Sequence, residues 1–388
     1  MVEMINKKNW EETKVKWNNY WKRQNTGTPL MCIVAKKEEA VDPVREAEIA
    51  VRDVEDKYFD AERMVARYRY WMDTHEFLAE SFPNLSVDFG PGSMAGYLGC
   101  NIKFARHTVW FEEFLDDWEG YKKLEFDPEN EWFKKHIELF KRVRELAGDD
   151  FYVAIPDIME NIDVLASIRG AQNTIFDMMD EPEEVEERIK QVQDCYFEYF
   201  DRFYDVAKIN ENGKDSSCYT VFNIWGEGKT AKLQCDFSAM MSPTQFREFI
   251  QEPLREQAKK LDHVLYHLDG PDAIRHLDAL MEIEEIDALQ WTSGSYNPDG
   301  THEQWFEIYD KAVAAGKALW VQVYTGTTEE WIARIDRLVE RYGSNALFMY
   351  FPPMSMESAQ MILKHAEENW KDVEGSYVKE LKAAGKLA

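Results

Sequence analysis

Apolar and polar positions in this chain alternate between short apolar runs and longer amphipathic stretches. The apolar runs fall at 29–34, 151–155, 218–224, 231–235, 262–267, 286–291, 317–323 and 346–351. Each is bounded by glycine, proline or polar clusters, as strands are. Between the later ones, helical periodicity fills 162–178, 182–207, 243–260, 272–281, 302–315, 328–342 and 356–370. Strand and helix in regular alternation predict parallel pairing with right-handed crossovers. Eight candidate strands are the number that closes a (β/α)8 TIM barrel. A doubly wound open sheet fits less well, because no glycine-rich phosphate loop follows any strand. Within 319–324, Leu319, Val321 and Val323 share one face while Trp320, Gln322 and Tyr324 share the other. That second face is too polar to pack under helices, which favours a barrel interior.

The first 150 residues follow a looser plan. An amphipathic helix is predicted over 7–25, acidic helical patterns over 40–82, glycine-rich loop over 86–99, an extended piece within 104–114 and a helix over 131–146. The expected organisation is a single α/β barrel domain over 1–388. About 1–150 form an elaborated helical N-terminal region that includes the first strand, about 151–370 form the barrel, and 371–388 form a polar, lysine-rich tail. The polar stretch 210–217 reads as a surface loop.

Composition narrows the partners. With 46 basic and 73 acidic residues the net charge is −27. Such a body repels phosphate backbones and anionic lipid, so neither nucleic acid nor a membrane surface is expected as a partner. The leading residues Met1 to Lys8 contain no apolar signal core, and no run approaches the ~20 apolar residues that span a bilayer. Five scattered cysteines (Cys32, Cys100, Cys195, Cys218, Cys235) without a Cys-x-x-Cys suit a reduced, cytoplasmic protein.

Candidate chemistry gathers at the C-terminal strand ends, where barrels of this type place function. The sharpest signal is Tyr266-His267-Leu268-Asp269-Gly270-Pro271. Strand alternation points His267 and Asp269 the same way just before a Gly-Pro break. An imidazole beside a carboxylate can move a proton, bind a metal or grip a polar substrate; it is also what an ordinary hydrogen-bonded strand end looks like. Asp157 and Glu160 follow the apolar run at 151–155 and are candidate acids, or caps of the next helix. Trp225, Glu227, Gln290, Trp291 and Tyr324 complete an acidic, aromatic set suited to a neutral or cationic substrate. For a metal, His267, Asp269 and Cys235 are the available donors, and zinc the candidate.

Several of these segments, in order, resemble the uroporphyrinogen decarboxylase-like superfamily, and most closely its branch linked to corrinoid methyltransferases. They are Cys235-Asp236-Phe237-Ser238-Ala239-Met240-Met241-Ser242-Pro243, the His267 segment, and Ile286-Asp287-Ala288-Leu289-Gln290-Trp291. The run from Gly90 to Gly99 and Thr108-Val109-Trp110-Phe111-Glu112 are similar to earlier segments of that branch. The resemblance spans residues ~15–370 and implies a (β/α)8 barrel enzyme. It implies a methyltransferase that moves a methyl group from a small O- or N-methylated compound to a partner protein carrying a corrinoid (cobalamin-type) cofactor. On this reading His267 and Asp269 handle the proton, with Asp157, Glu160, Glu227 or Tyr324 as alternative acids, and Trp225 and Trp291 wall the pocket.

Two departures bear on that. The segment from Pro29 to Lys37 has no arginine pair to grip porphyrinogen carboxylates. Asp269 stands where thiol-methylating relatives carry a zinc-binding cysteine, and no cysteine follows Cys235. A carboxy-lyase and a non-catalytic corrinoid- or ligand-binding barrel remain the alternatives. A homodimeric state is left open by the sequence.

Overall fold

The computed structural model describes residues 7–118 and 123–387. Residues 1–6, most of the stretch read above for a signal core, lie outside them. The chain forms two compact units, neither continuous in sequence. The first takes in the described residues up to Pro43, then Tyr70–Pro83 and those from His263 on; the second comprises Val44–Arg69 and Asn84–Asp262.

The first unit is built on a mostly parallel sheet of seven strands. In spatial order they are His263–Asp269, Ala288–Thr292, Ala318–Gln322, Leu347–Tyr350, Leu30–Lys36 and Met354–Ser355, all parallel. His75–Ala79 joins antiparallel to Leu30–Lys36. Helices Phe306–Ala314, Thr328–Tyr342 and Met356–Asn369 follow successive strands. The second of these shows how the sequence sets its limits. Thr327 and Glu330 form a reciprocal capping box at its start, and Gly343 takes a φ of 80° at its end. Trp331, Ile335, Leu338, Val339 and Tyr342 make its buried stripe at helical spacing. The helix Trp10–Trp21 packs its aromatic face by the sheet, with Trp17 and Tyr20 on Phe348 at 4.9 and 6.1 Å and Trp21 stacked on His263 at 5.0 Å.

The second unit is mainly helical, with Glu131–Ala147 and Pro182–Ala207 its longest helices. The strands Asn84–Ser86 and Tyr152–Ala154 pair in parallel, and Ile155 bridges to Tyr219. An antiparallel sheet runs Ile209–Glu211, Lys214–Tyr219, Ile224–Glu227, and the strand Thr230–Gln234 follows it in the chain. The extended piece expected within 104–114 is the hairpin of Asn101–Phe104 with Val109–Glu112.

Four local expectations are corrected. Residues 210–217 are not a loop but a hairpin, turned at Asn212 and Gly213 with φ of 53° and 83°. Two successive positive φ angles make the tight turn that Asn-Gly favours. The run 218–224 is two strands, broken where Val221 and Asn223 adopt φ of 58° and 48°. The helical pattern over 40–82 ends early: the helix Ala61–Thr74 passes straight into the strand His75–Ala79, drawn into pairing by the exposed edge of Leu30–Lys36. The lysine-rich tail carries a helix, Ser376–Ala383, because Val378 and Leu381 find a buried seat.

No helix among the described residues is long and apolar enough to cross a membrane. All five cysteines are free and buried.

Candidate functional site

The second unit buries a cluster of charge. Strand Thr230–Gln234 alternates so that Lys232 and Gln234 share a face. Lys232 is 0% exposed, and its Nζ lies 2.9 Å from the Asp157 carboxylate. A lysine is almost never buried this fully without an ionic partner. The Tyr219 hydroxyl donates to the same Asp157 oxygen at 3.2 Å, and Lys232 also donates to the side-chain carbonyl of Gln234. Asp157 and Glu160 lie on the segment between strand Tyr152–Ala154 and helix Asn161–Arg169. There Met159 and Asn161 take φ of 53° and 50°, left-handed positions that non-glycine residues hold only when their surroundings impose them.

Glu160 is 0% exposed. Its Oε1 accepts the Gln234 N–H at 2.5 Å, while its Oε2 has no partner among the described residues. Burial pushes its carboxyl up to about 8; Lys232 opposes the shift and Asp157 adds to it. Burial thus favours the protonated form of Glu160, beside the ion-paired Asp157 carboxylate. For Lys232, burial pulls downward, but the fields of Asp157 and Glu160 prevail and raise it. Asp88, half-buried, is pushed up to about 6 by desolvation and by Asp157, against the pull of the Gly90 N–H it accepts at 2.7 Å. Asp163 accepts the backbone N–H groups of Asp236 and Phe237 at 2.9 and 2.8 Å, so it fixes the turn after the strand. Cys235, on that turn, is buried; desolvation and the carboxylates of Asp163 and Asp236 hold its thiol well above the ordinary value.

The first unit presents a different arrangement. His267 and Asp269 are the fifth and last residues of strand His263–Asp269, on one face at its C-terminal end. The register carries His267 across to Gln290, Trp320, Phe348 and Leu30 in a single row. The Nδ1 of His267 is hydrogen-bonded to the side-chain carbonyl of Gln290, whose amide nitrogen donates to Thr292 at 2.9 Å. One layer toward the C-terminal ends, Asp269 lies opposite Thr292, and Gln322 lies opposite Tyr350. The Tyr350 ring stacks on Trp320 at 5.1 Å and 21°.

The remaining expected residues fall in separate places. Trp291 points to the face opposite Gln290 and packs against Trp305 at 5.1 Å, 1% exposed. Tyr324 is 43% exposed just beyond strand Ala318–Gln322. Trp225 is buried in the antiparallel sheet of the second unit, opposite Cys218. Glu227 pairs with Lys214 at 3.0 Å at the exposed end of that sheet.

Two residues that sequence reasoning missed organise these places. Lys232 is one. Asp299 is the other: 0% exposed, it accepts the N–H groups of Tyr324 and Thr325 at 2.8 and 2.7 Å and the Thr325 hydroxyl at 2.8 Å, and so pins the loop that carries Tyr324. Burial would raise its carboxyl, but hydrogen bonds from the Thr301 hydroxyl, Thr325 and Tyr324 outweigh it and hold the group below the usual carboxylate value. Asp299 sits in an Asn-Pro-Asp-Gly turn sequence, which marks the loop but not the bond it makes. Gly92, read as a loop residue, is a packing glycine; a Cβ there would lie 2.8 Å from the Phe111 ring.

For a metal, the first unit contributes His267 and Asp269 as two donors, and zinc takes three or four. Cys235, the third donor expected from the sequence, belongs to the second unit.

No family model matches the sequence, and no curated protein matches it. Among solved structures, the fold is similar to that of a methyltransferase from Methanosarcina mazei, with a TM-score of 0.60. The likeness covers 92% of this chain and 98% of that chain at 11% sequence identity, so it is a likeness of fold.

Proposed function

We propose that the protein is a methyltransferase that takes a methyl group from a small O- or N-methylated compound and delivers it to the cobalt of a corrinoid held by a separate protein. The observation that carries this reading is the histidine at a parallel strand's C-terminal end, with its ring held by Gln290 and Asp269 on the same face two residues on. The fold likeness to a methyltransferase supports it. The reading takes the parallel sheet as part of a (β/α)8 barrel, in which strand ends of this kind line the active site.

The chemical difficulty lies in the leaving group. The methyl carbon passes to the reduced cobalt, which supplies the electron pair of the new bond. The pair of the broken carbon–oxygen or carbon–nitrogen bond stays on the departing atom. An alkoxide or amide is a poor leaving group, so that atom must gain a proton as the bond breaks. His267 in its protonated form would donate that proton, and Asp269, on the same face, would orient the substrate. Gln290 fixes the ring, itself held by Thr292. Trp320 and Tyr350 supply an aromatic surface on the same face, against which a neutral methylated compound can pack. Glu160, whose protonated form burial favours, is the alternative acid. No step requires zinc.

The test is a panel of O- and N-methylated small molecules incubated with the protein and free cob(I)alamin, followed by absorbance. Conversion to methylcobalamin with at least one donor, dependent on the protein, is the expected result. Absence of conversion across the panel, with tight binding of a donor shown by calorimetry, would replace the enzyme with a binding protein.

A further inference from the structure

The first unit contains a cavity of about 510 Å³ at the N-terminal ends of strands Ala318–Gln322 and Leu347–Tyr350, away from His267. Its cationic lining is Lys22, Arg23, Lys317 and Lys382, with Val313 and Leu319 among its apolar walls. In a chain of net charge −27, no aspartate or glutamate among the described residues lines it. That inversion of sign is the first observation.

The second is the state of these cations. Lys317 is buried, and its ammonium donates to the carbonyls of Ile283 and Glu284 at 2.7 and 2.9 Å. Asp287 lies close enough to feel both Lys317 and Arg23, and Lys382 is 3.3 Å from Glu374. Neither the Lys22 ammonium nor the Arg23 guanidinium has an ion pair or hydrogen bond among the described residues. Arg23 in addition holds a φ of 57°, a left-handed position that costs an arginine conformational energy. Its backbone is locked there by two bonds: its N–H donates to the Tyr20 carbonyl at 2.8 Å, and its carbonyl accepts from Asn345 at 3.1 Å. A strained backbone thus carries an unpaired guanidinium beside a second unpaired cation and a buried third.

We propose that this cavity binds a small phosphoryl-bearing anion. A guanidinium offers two parallel N–H donors that match phosphoryl oxygens, and the flanking ammonium groups add point charges. The volume admits a ligand with an organic portion, for which Val313 and Leu319 provide contact. The proposal is independent of the methyl-transfer reading, since the cavity and His267 share no residue.

Arg23→Gly separates this role from a structural one, because glycine accepts the left-handed backbone freely. The full-length protein and this variant are titrated with pyrophosphate and, separately, with citrate, at equal ionic strength, by calorimetry and thermal melting. Pyrophosphate should bind the parent protein and raise its melting temperature. Without ligand, Arg23→Gly should melt at an equal or higher temperature, yet bind pyrophosphate at least tenfold more weakly; Lys22→Ala should weaken it as well. Binding of citrate but not pyrophosphate would overturn the phosphoryl assignment. Failure of both anions to bind, or equal pyrophosphate affinity in parent and Arg23→Gly, would overturn the site.

Discussion

His267 and Lys232 both lie on short strands, and their surroundings differ in kind. His267 is half-buried, set in a row of side chains across a parallel sheet and hydrogen-bonded to a neutral side chain, Gln290. Lys232 is wholly buried among carboxyls, with Asp157 as its ionic partner and protonated Glu160 close by. The first arrangement leaves the ring partly accessible to solvent. The second is a rigid charge lattice, in which each member depends on its neighbour and removal of one leaves another buried without compensation. A partly accessible side chain can meet a substrate, and a wholly buried ion pair fixes the ground on which other groups act.

The largest expected effect breaks the second arrangement. Lys232→Met strands the Asp157 carboxylate in a buried site, which should cost about 3–5 kcal/mol of stability by urea unfolding. The double variant Lys232→Met, Asp157→Asn should recover most of the loss. If the single variant were as stable as the parent, the ion pair would not be what holds this region.

Next in size is the pH dependence due to Glu160. Its folded value, about 8, lies above that of the unfolded chain, so its contribution is fully present below the unfolded carboxyl value. It is lost as pH rises from there through about 8, at up to about 1.4 kcal/mol per pH unit. Glu160→Gln should flatten that slope, and urea midpoints from pH 5 to 8 check it. An unchanged slope would mean that Glu160 is ionised in the folded protein.

A smaller effect sharpens the description of the first arrangement. Gln290→Leu removes one hydrogen bond from His267 and should lower the methyl-transfer rate about fivefold. It should also displace the pH–rate profile, a change that loss of packing alone would not cause. The smallest effect concerns metal: added zinc or a chelator should leave the rate unaltered, and a zinc-dependent rate would call for donors beyond His267 and Asp269.

Much of the parallel sheet was legible because apolar runs bounded by breakers mark strands locally. The runs at 262–267, 286–291, 317–323 and 346–351 match strands of the first unit closely. The pairing of His267 with Asp269 was legible for the same reason, since alternation needs no tertiary information. The same rule applied to Gln290 and Trp291 puts them on opposite faces, although both were expected at the pocket. The Asn212-Gly213 turn was also readable, and its hairpin was passed over for the polarity of its flanks. Strand His75–Ala79 was not legible, because no breaker separates it from the preceding helix and its pairing partner lies forty residues earlier. Lys232 was equally hidden. Thr-Ala-Lys-Leu-Gln reads as a strand with a solvated lysine, and only Asp157, distant in sequence, makes burial tolerable. Asp299 was missed on the same ground: its acceptors' partners, Tyr324 and Thr325, belong to a later loop.

The central claim is tested most directly by single-turnover transfer of a deuterated methyl group from a donor found in the panel to cob(I)alamin, followed by mass spectrometry, with the parent protein and His267→Ala side by side. The account predicts labelled methylcobalamin from the parent and a rate lower by on the order of 10²–10⁴-fold from the variant, with unfolding midpoints alike. Equal rates from the two proteins would contradict it.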